Sequence, residues 1–191
     1  MRIVGGRFRG KKLIAPEGAD LRPTSDRARE SVFNILAHGK AAIDLDGITV
    51  VDMFCGTGAL GLEAMSRGAA HGVFADRNPA HLKIAKDNAA AMGLWRECLM
   101  LGLECTHLAV PPRAAKTPAG LAFLDPPYGQ GLADPTLRGL VNKGWLAPGA
   151  IVVVEVGAEE ALRGTRGFEV LDERTYGAAK VYFLRWPGPT S

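Results

Sequence analysis

From residue 48 onward, the 191-residue sequence predicts an α/β fold: a mostly parallel sheet of seven strands with helices on both faces. Three observations carry this. Short apolar runs alternate with stretches of helical period, a glycine-rich turn joins the first run to the first helix, and the last two runs are spaced as an antiparallel hairpin closing one sheet edge.

Taken in order, "ITVVDMF" reads as a strand and "GALGLEAMSRG" as a helix closed by Gly68. "HGVFAD" is the next strand, and "NPAHLKIAKDNAAAMG" a helix opened by Asn78 and Pro79 and ended by Gly93. The βαβα pattern continues more weakly through the strands "ECLML" and "LAFLD", a helix near Asp134 to Asn142, and the strand "AIVVVEV". "FEVLDERTYG" and "AAKVYFLRW" form the closing hairpin. The first 47 residues do not follow this alternation. There "RIVGGRFRGKKLIAP" suggests a small basic hairpin around Gly5, Gly6 and Gly10, and Thr24 or Ser25 caps a helix running to about Ala37. The expected organisation is an N-terminal hairpin-helix extension over 1–47, a core domain over 48–186 and a flexible Pro- and Gly-rich tail over 187–191.

With 47% hydrophobic and 23% charged residues, the chain has enough material for one well-cored domain and too little for two. Its longest apolar runs, Ile48 to Val51 and Ile151 to Val154, are far shorter than the roughly 20 residues needed to span a bilayer, and no secretory pattern opens the chain. A cytoplasmic protein without membrane association is expected. Cys55, Cys98 and Cys105 include no CxxC pair, and no histidine stands at metal-ligand spacing beside them, so neither disulfide nor metal is expected. Cys55 lies in the glycine-rich turn and reads as a small apolar filler. Net charge is +3, unevenly distributed. Residues 1–40 hold nine Lys and Arg against four Asp and Glu, which suggests an arm that binds a polyanion, with a solvated basic face as the alternative.

Two motifs carry chemistry. Gly56, Gly58 and Gly61 form a GxGxxG turn between a strand and a helix, with Asp76 about 20 residues on at the next strand's end. Alone, this is the dinucleotide pattern. Asp52 argues otherwise: just before the glycines, a carboxylate repels a pyrophosphate but attracts the ammonium of a methionine moiety, which S-adenosylmethionine carries without any phosphate. Asp76 serves either cofactor, because its two oxygens can accept both ribose hydroxyls. The second motif is "LAFLDPPYGQGL". Its apolar run reads as a strand, which Pro126 and Pro127 stop, so an acid and an aromatic ring stand at a strand end, where open α/β sheets bind ligands.

"VVDMFCGTGALGLEA", "VFADRNP" and "LAFLDPPY" together resemble the class I S-adenosylmethionine-dependent methyltransferases with a DPPY-type motif. The opening "RIVGGRFRGKKL" and "LRPTSDRARESVFNIL" are similar to the bacterial RsmD-like family, which methylates the exocyclic N2 amine of one guanine in small-subunit (16S) ribosomal RNA. The resemblance runs from Arg2 to about Leu184, including "ERTYGAAKVYFLR". It implies a Rossmann-like core in which Asp52, Phe54, Gly56, Thr57 and Gly58 form the methionine side of the cofactor pocket, and Asp76, with Arg77 beside it, holds the ribose. Asp125, Pro126, Pro127 and Tyr128 face the target base. Arg7, Arg9, Lys11, Lys12, Arg22, Thr24 and Arg29 are the candidates for contact with RNA. The implied cofactor is S-adenosylmethionine, with S-adenosylhomocysteine as product and no metal, and the implied partner is ribosomal RNA or a small-subunit particle met by a monomer. One departure concerns "LMLGLECT", which places Leu103 where relatives often hold a polar contact to adenine. Glu104 is the substitute within reach, and the adenine contacts stay open.

Other readings remain at this point. An amino-directed enzyme for DNA adenine or protein glutamine would use a similar tetrapeptide. A nicotinamide oxidoreductase would use the glycine turn but has no use for Asp52 or DPPY. A non-catalytic RNA-binding ribosome assembly factor would explain the basic arm and leave both motifs idle.

Overall fold

The computed structural model describes residues 1–15 and 25–189. Helix α1 (Asp26–His38) precedes an alternating core of β1 (Thr49–Met53), α2 (Ala59–Ser66), β2 (His71–Asp76), α3 (Pro79–Ala91), β3 (Cys98–Gly102), β4 (Ala119–Leu124), α4 (Ala133–Asn142) and β5 (Leu146–Gly157). The hairpin of β6 (Glu169–Tyr176) and β7 (Ala179–Arg185) follows. The sheet order is β3-β2-β1-β4-β5-β7-β6, with β7 antiparallel to both of its neighbours and every other pairing parallel.

Strand alternation divides the core in two. Val50, Phe74, Leu121 and Phe123 pack with Val32, Phe33 and Leu36 of α1, Leu62 of α2 and Ala85 and Ala89 of α3. Val51, Met53, Val73, Ala122 and Leu124 face the other way, against Leu137 and Leu140 of α4 and the buried Trp145. Central strands covered on both faces explain why the runs are almost wholly apolar. β1 lies between β2 and β4, so the chain leaves it in both directions across the sheet. This switch point opens a crevice at the carboxyl ends of β1 and β4.

The N-terminal segment makes a single antiparallel bridge, Arg2 to Lys12, around a 3-10 turn at Gly6–Phe8. Ile3 N donates to the Lys11 carbonyl and Gly10 N to the Ile3 carbonyl, both at 2.9 Å, and Leu13 N to the Met1 carbonyl at 3.2 Å, so the segment is a short irregular hairpin laid on the core. Val4 N donates to Glu63 Oε2 at 2.8 Å, Phe8 N to Ser66 Oγ at 3.0 Å, and Ser66 Oγ to the Gly5 carbonyl at 2.7 Å, so α2 holds the loop by its backbone. Gly5 and Gly6 allow that approach: a Cβ on Gly5 would stand 2.2 Å from the Arg67 guanidinium, and one on Gly6 (φ +73°) 2.0 Å from the Ser66 carbonyl. Ser25 caps α1 by accepting from Ala28 N at 3.1 Å. The alternative cap, Thr24, lies outside the described residues, as does the end of the expected tail, residues 190–191.

Candidate active site

One cavity of about 660 Å³ lies over the crevice and is lined by residues at the carboxyl ends of β1 to β5 and the turns after them, with Met1 beside them. The first wall is the turn from β1 into α2. Phe54 has φ +60°, a left-handed conformation uncommon for a side chain of its size, and Gly56 and Gly58 follow at +52° and +77°. Gly61 acts differently from the two turn glycines: its φ is ordinary, but a Cβ there would sit 2.5 Å from the Phe74 ring, so it lets α2 pack onto β2.

Asp52, 2% exposed, is held by the Gly61 amide, which donates to Oδ2 at 2.9 Å. Burial pushes its carboxyl pKa up to about 8, the Gly61 hydrogen bond opposing this and the charge of Asp76 adding to it. Asp76 ends β2. Its Oδ2 accepts from Gly56 N at 3.1 Å and meets His81 Nδ1 at 3.1 Å, while Oδ1 accepts from Asn78 N at 2.8 Å. Asn78 in turn caps α3 through Ala80 N, with Pro79 in the first turn. The turn is also fastened from α3, where Asn88 Nδ2 donates to the Thr57 carbonyl at 3.0 Å and Asn88 Oδ1 accepts from Ile14 N at 2.7 Å.

The second wall is the tetrapeptide. Asp125, Pro126, Pro127 and Tyr128 all line the cavity, and the Asp125 amide donates to the Met53 carbonyl of β1 at 3.4 Å. The Tyr128 hydroxyl donates to Glu155 Oε1 on β5. Burial raises the Glu155 pKa, and the phenol opposes that rise by favouring the charged carboxylate. Beyond Tyr128, Glu160 accepts from the amides of Gly129 at 2.9 Å and Gly131 at 3.3 Å, which fastens the loop after the tetrapeptide.

All seven cofactor candidates except Arg77 and Phe54 are buried or nearly so, and Asp52, Phe54, Gly56, Thr57, Asp76 and Arg77 line the cavity. Gly58 shapes the turn behind them. Arg77 is exposed, its Nη1 3.6 Å from Glu104 Oε2. Glu104 reaches the cavity wall where Leu103 does not. The Cys55 thiol is pushed well above its ordinary pKa by burial and by Asp52 and Asp76, which suits a space-filler and not a nucleophile. Among the described residues no group of three or more His, Cys, Asp or Glu converges to hold a metal, and no helix is long and apolar enough to cross a membrane.

Arg7, Arg9, Lys11 and Lys12 are exposed on the N-terminal loop. Arg22 and Thr24 lie outside the described residues. Arg29 is a correction. Its side chain is 0% exposed, with Nη2 2.8 Å from Asp26 Oδ1 and bonded to the Arg2 carbonyl, and Nε 3.7 Å from the buried Glu63. It faces inward because α1 packs that side onto α2, so it ties the N-terminal loop to the core and has no surface to offer a phosphate.

Sequence reasoning missed His81, Met1, Glu155 and Glu160. His81 and Met1 gave no signal, since one sits one helical turn past Asn78 and the other, with its sulfur 3.7 Å from Thr57 Oγ1, is distant in sequence from everything it touches. Glu155 did give one: it is the single acid inside "AIVVVEV".

A seven-stranded sheet with this order and a glycine-turn cavity at the β1/β4 switch defines a Rossmann-like methyltransferase. Residues 1–185 match the family described as conserved hypothetical protein 95, and the chain belongs to that family as an RsmD-like methyltransferase. Ribosomal RNA small subunit methyltransferase D of Escherichia coli strain K12 is 37% identical over 162 residues, covering 85% of this chain and 77% of that one. A solved Escherichia coli structure assigned as the methyltransferase yhhF superposes with a TM-score of 0.85 at 29% identity, over 99% of both chains. An RNA methyltransferase from Salinibacter ruber, solved with S-adenosylhomocysteine, shares the fold with a TM-score of 0.63 at 19% identity, over 88% of this chain and 96% of that one.

Proposed function

We propose that the protein transfers a methyl group from S-adenosylmethionine to the exocyclic N2 amine of one guanine in small-subunit ribosomal RNA. The observation that carries the reading is the acidic lining of the cavity. Five acidic side chains line it (Asp52, Asp76, Glu104, Asp125 and Glu155) against Arg77 and His81, and buried Asp52 becomes a carboxylate when a cation binds beside it. Such a lining repels the pyrophosphate of a dinucleotide and suits a ligand with an ammonium and a sulfonium. The glycine turn offers that ligand a close backbone, and the Asp76 carboxylate on the cavity wall is the acceptor for its ribose hydroxyls in this reading.

Bound there, the cofactor supplies an electrophilic methyl carbon. The chain's own groups prepare the acceptor. An amine conjugated to a purine has its lone pair drawn into the ring, and acceptors for its hydrogens localise and aim that pair. Asp125 and the Pro126 carbonyl are those acceptors. The Tyr128 ring offers a flipped base a stacking face worth about 1 to 3 kcal/mol. The two prolines limit the freedom of the backbone that presents these groups. RNA phosphates remain outside, on Arg7, Arg9, Lys11 and Lys12 of the N-terminal extension. The name of the Escherichia coli relative supports ribosomal RNA as the substrate, and the exposed basic loop agrees with it.

The test is mass-spectrometric mapping of ribosomal RNA from cells with and without the protein. One guanine should lose its N2-methyl mark in the deletion and regain it on adding purified protein and S-adenosylmethionine. An unchanged RNA map, or a mark on another amine, would overturn the reading.

A further inference from the structure

Glu155 has no part in the chemistry described so far, yet its position is specific. The β4–β5 register pairs Leu124 with Val154, so the next residues, Asp125 and Glu155, leave adjacent parallel strands side by side. Neighbouring strands lie about 5 Å apart, and register partners point to the same face. Both acids line the cavity. Around Glu155 the strand runs Ile151 to Val156 in otherwise buried apolar residues. A carboxylate there is costly unless something uses it. The Tyr128 hydroxyl satisfies Oε1, while Oε2 makes no hydrogen bond among the described residues.

On the Watson–Crick edge of guanine the 2-amino group has a second donor, N1–H, directly beside it. Adenine presents an acceptor at N1 beside its amine, and a glutamine side chain has no second donor group there. A carboxylate is acceptor-only, so it attracts the first edge and repels the second. We propose that Glu155 selects guanine, its carboxylate accepting N1–H of the flipped base while Asp125 and the Pro126 carbonyl take the hydrogens of the 2-amino group. The Tyr128 hydroxyl orients that carboxylate, which gives the ring's oxygen a purpose that stacking alone does not. The inference rests on the guanine-N2 reading above and adds the residue that enforces it.

The experiment uses the full chain and two RNAs: unmethylated small-subunit RNA, and the same RNA with 2-aminopurine at the mapped target. 2-Aminopurine keeps the 2-amino group but has an acceptor at N1. In single-turnover methylation the wild type should prefer guanine by about tenfold to a hundredfold, the range for a hydrogen bond to a charged group. Glu155→Gln should lose rate on guanine and gain rate on 2-aminopurine, because its amide can donate to N1, and so collapse the preference. Tyr128→Phe keeps the stacking ring but loses the hydroxyl that orients the carboxylate, so it should slow guanine more than 2-aminopurine and shrink the preference. Equal losses on both RNAs in Glu155→Gln would reduce Glu155 to a structural prop and overturn the proposal. A wild-type enzyme that leaves guanine in the unmethylated RNA untouched would instead overturn the guanine-N2 reading itself, before Glu155 is tested.

Discussion

Asp52 and Asp76 end neighbouring strands, but their surroundings give them different tasks. Asp76 is wrapped by the amides of Gly56 and Asn78 and by His81. Asp76→Ala removes an acceptor for charge-assisted and neutral donors alike, and cofactor affinity measured by calorimetry should fall about tenfold to a hundredfold. Asp52 has one amide donor among the described residues and is buried, so without a cation near it the carboxyl holds its proton up to about pH 8. The folded state then binds more protons than the unfolded chain between about pH 4 and 8, and this group's contribution to stability falls as pH rises through that window. A cationic cofactor reverses the preference by favouring the carboxylate. Binding at pH 7 should therefore release a proton from Asp52, and affinity should rise with pH towards 8. Calorimetry in buffers of different ionisation enthalpy reads that proton, and Asp52→Asn should remove it. On the catalytic side, Asp125→Ala should slow single-turnover methylation by about a hundredfold to a thousandfold with little change in cofactor affinity, if its acceptor strengthens as the amine gains positive charge. A wild-type rate in that variant would dismiss Asp125 from the chemistry.

At the scale of elements, the N-terminal loop and α2 form one unit. Glu63 is fully buried between Arg29 and Arg67 and accepts from Val4 N, and Arg67 stacks over Phe33 with 4.8 Å to the ring centroid. Removing one member of a buried ionic cluster leaves charge uncompensated, so Arg29→Met should destabilise the fold by about 3 kcal/mol in denaturant titration and leave the salt dependence of RNA binding unchanged. Gly6→Ala should also destabilise, by at least about 1 to 3 kcal/mol, since both its positive φ and the Ser66 carbonyl oppose a side chain. The loop's basic residues are separable from this role. Ile3 and Leu13 are core residues, so deleting residues 1–15 would damage folding and binding together. Replacing Arg7, Arg9, Lys11 and Lys12 with Gln keeps the loop seated. RNA affinity should then fall, and the slope of log affinity against log salt should flatten by about 0.7 to 0.9 per lost phosphate contact. An unchanged slope would make these residues a solvated face.

At the scale of the whole molecule, the parallel core was legible in the sequence because central strands buried on both faces leave unbroken apolar runs between glycine and proline stops. "HGVFAD" and β2 coincide, and Asn78, Pro79 and Gly93 bracket α3 as their capping chemistry requires. Asp52, Asp76 and the tetrapeptide were legible for a related reason: polar groups at the ends of apolar strands stand out. Tertiary structure alone decided the rest. Arg29 has the same composition signal as Arg7 or Lys11, yet it points inward, because exposure depends on which side of α1 meets α2. Met1 and Asn88 reach the glycine turn through contacts between segments far apart in the chain, which local periodicity does not encode, and Glu155, visible as a lone acid in an apolar run, gains its place beside Asp125 only when β5 pairs with β4. What the sequence determined by itself was the order of strands and helices and the acids placed at strand ends. Which charges meet, which are buried and which face the cavity came from packing the two sides of the sheet, since burial and pairing belong to the assembled core and not to any one stretch of chain.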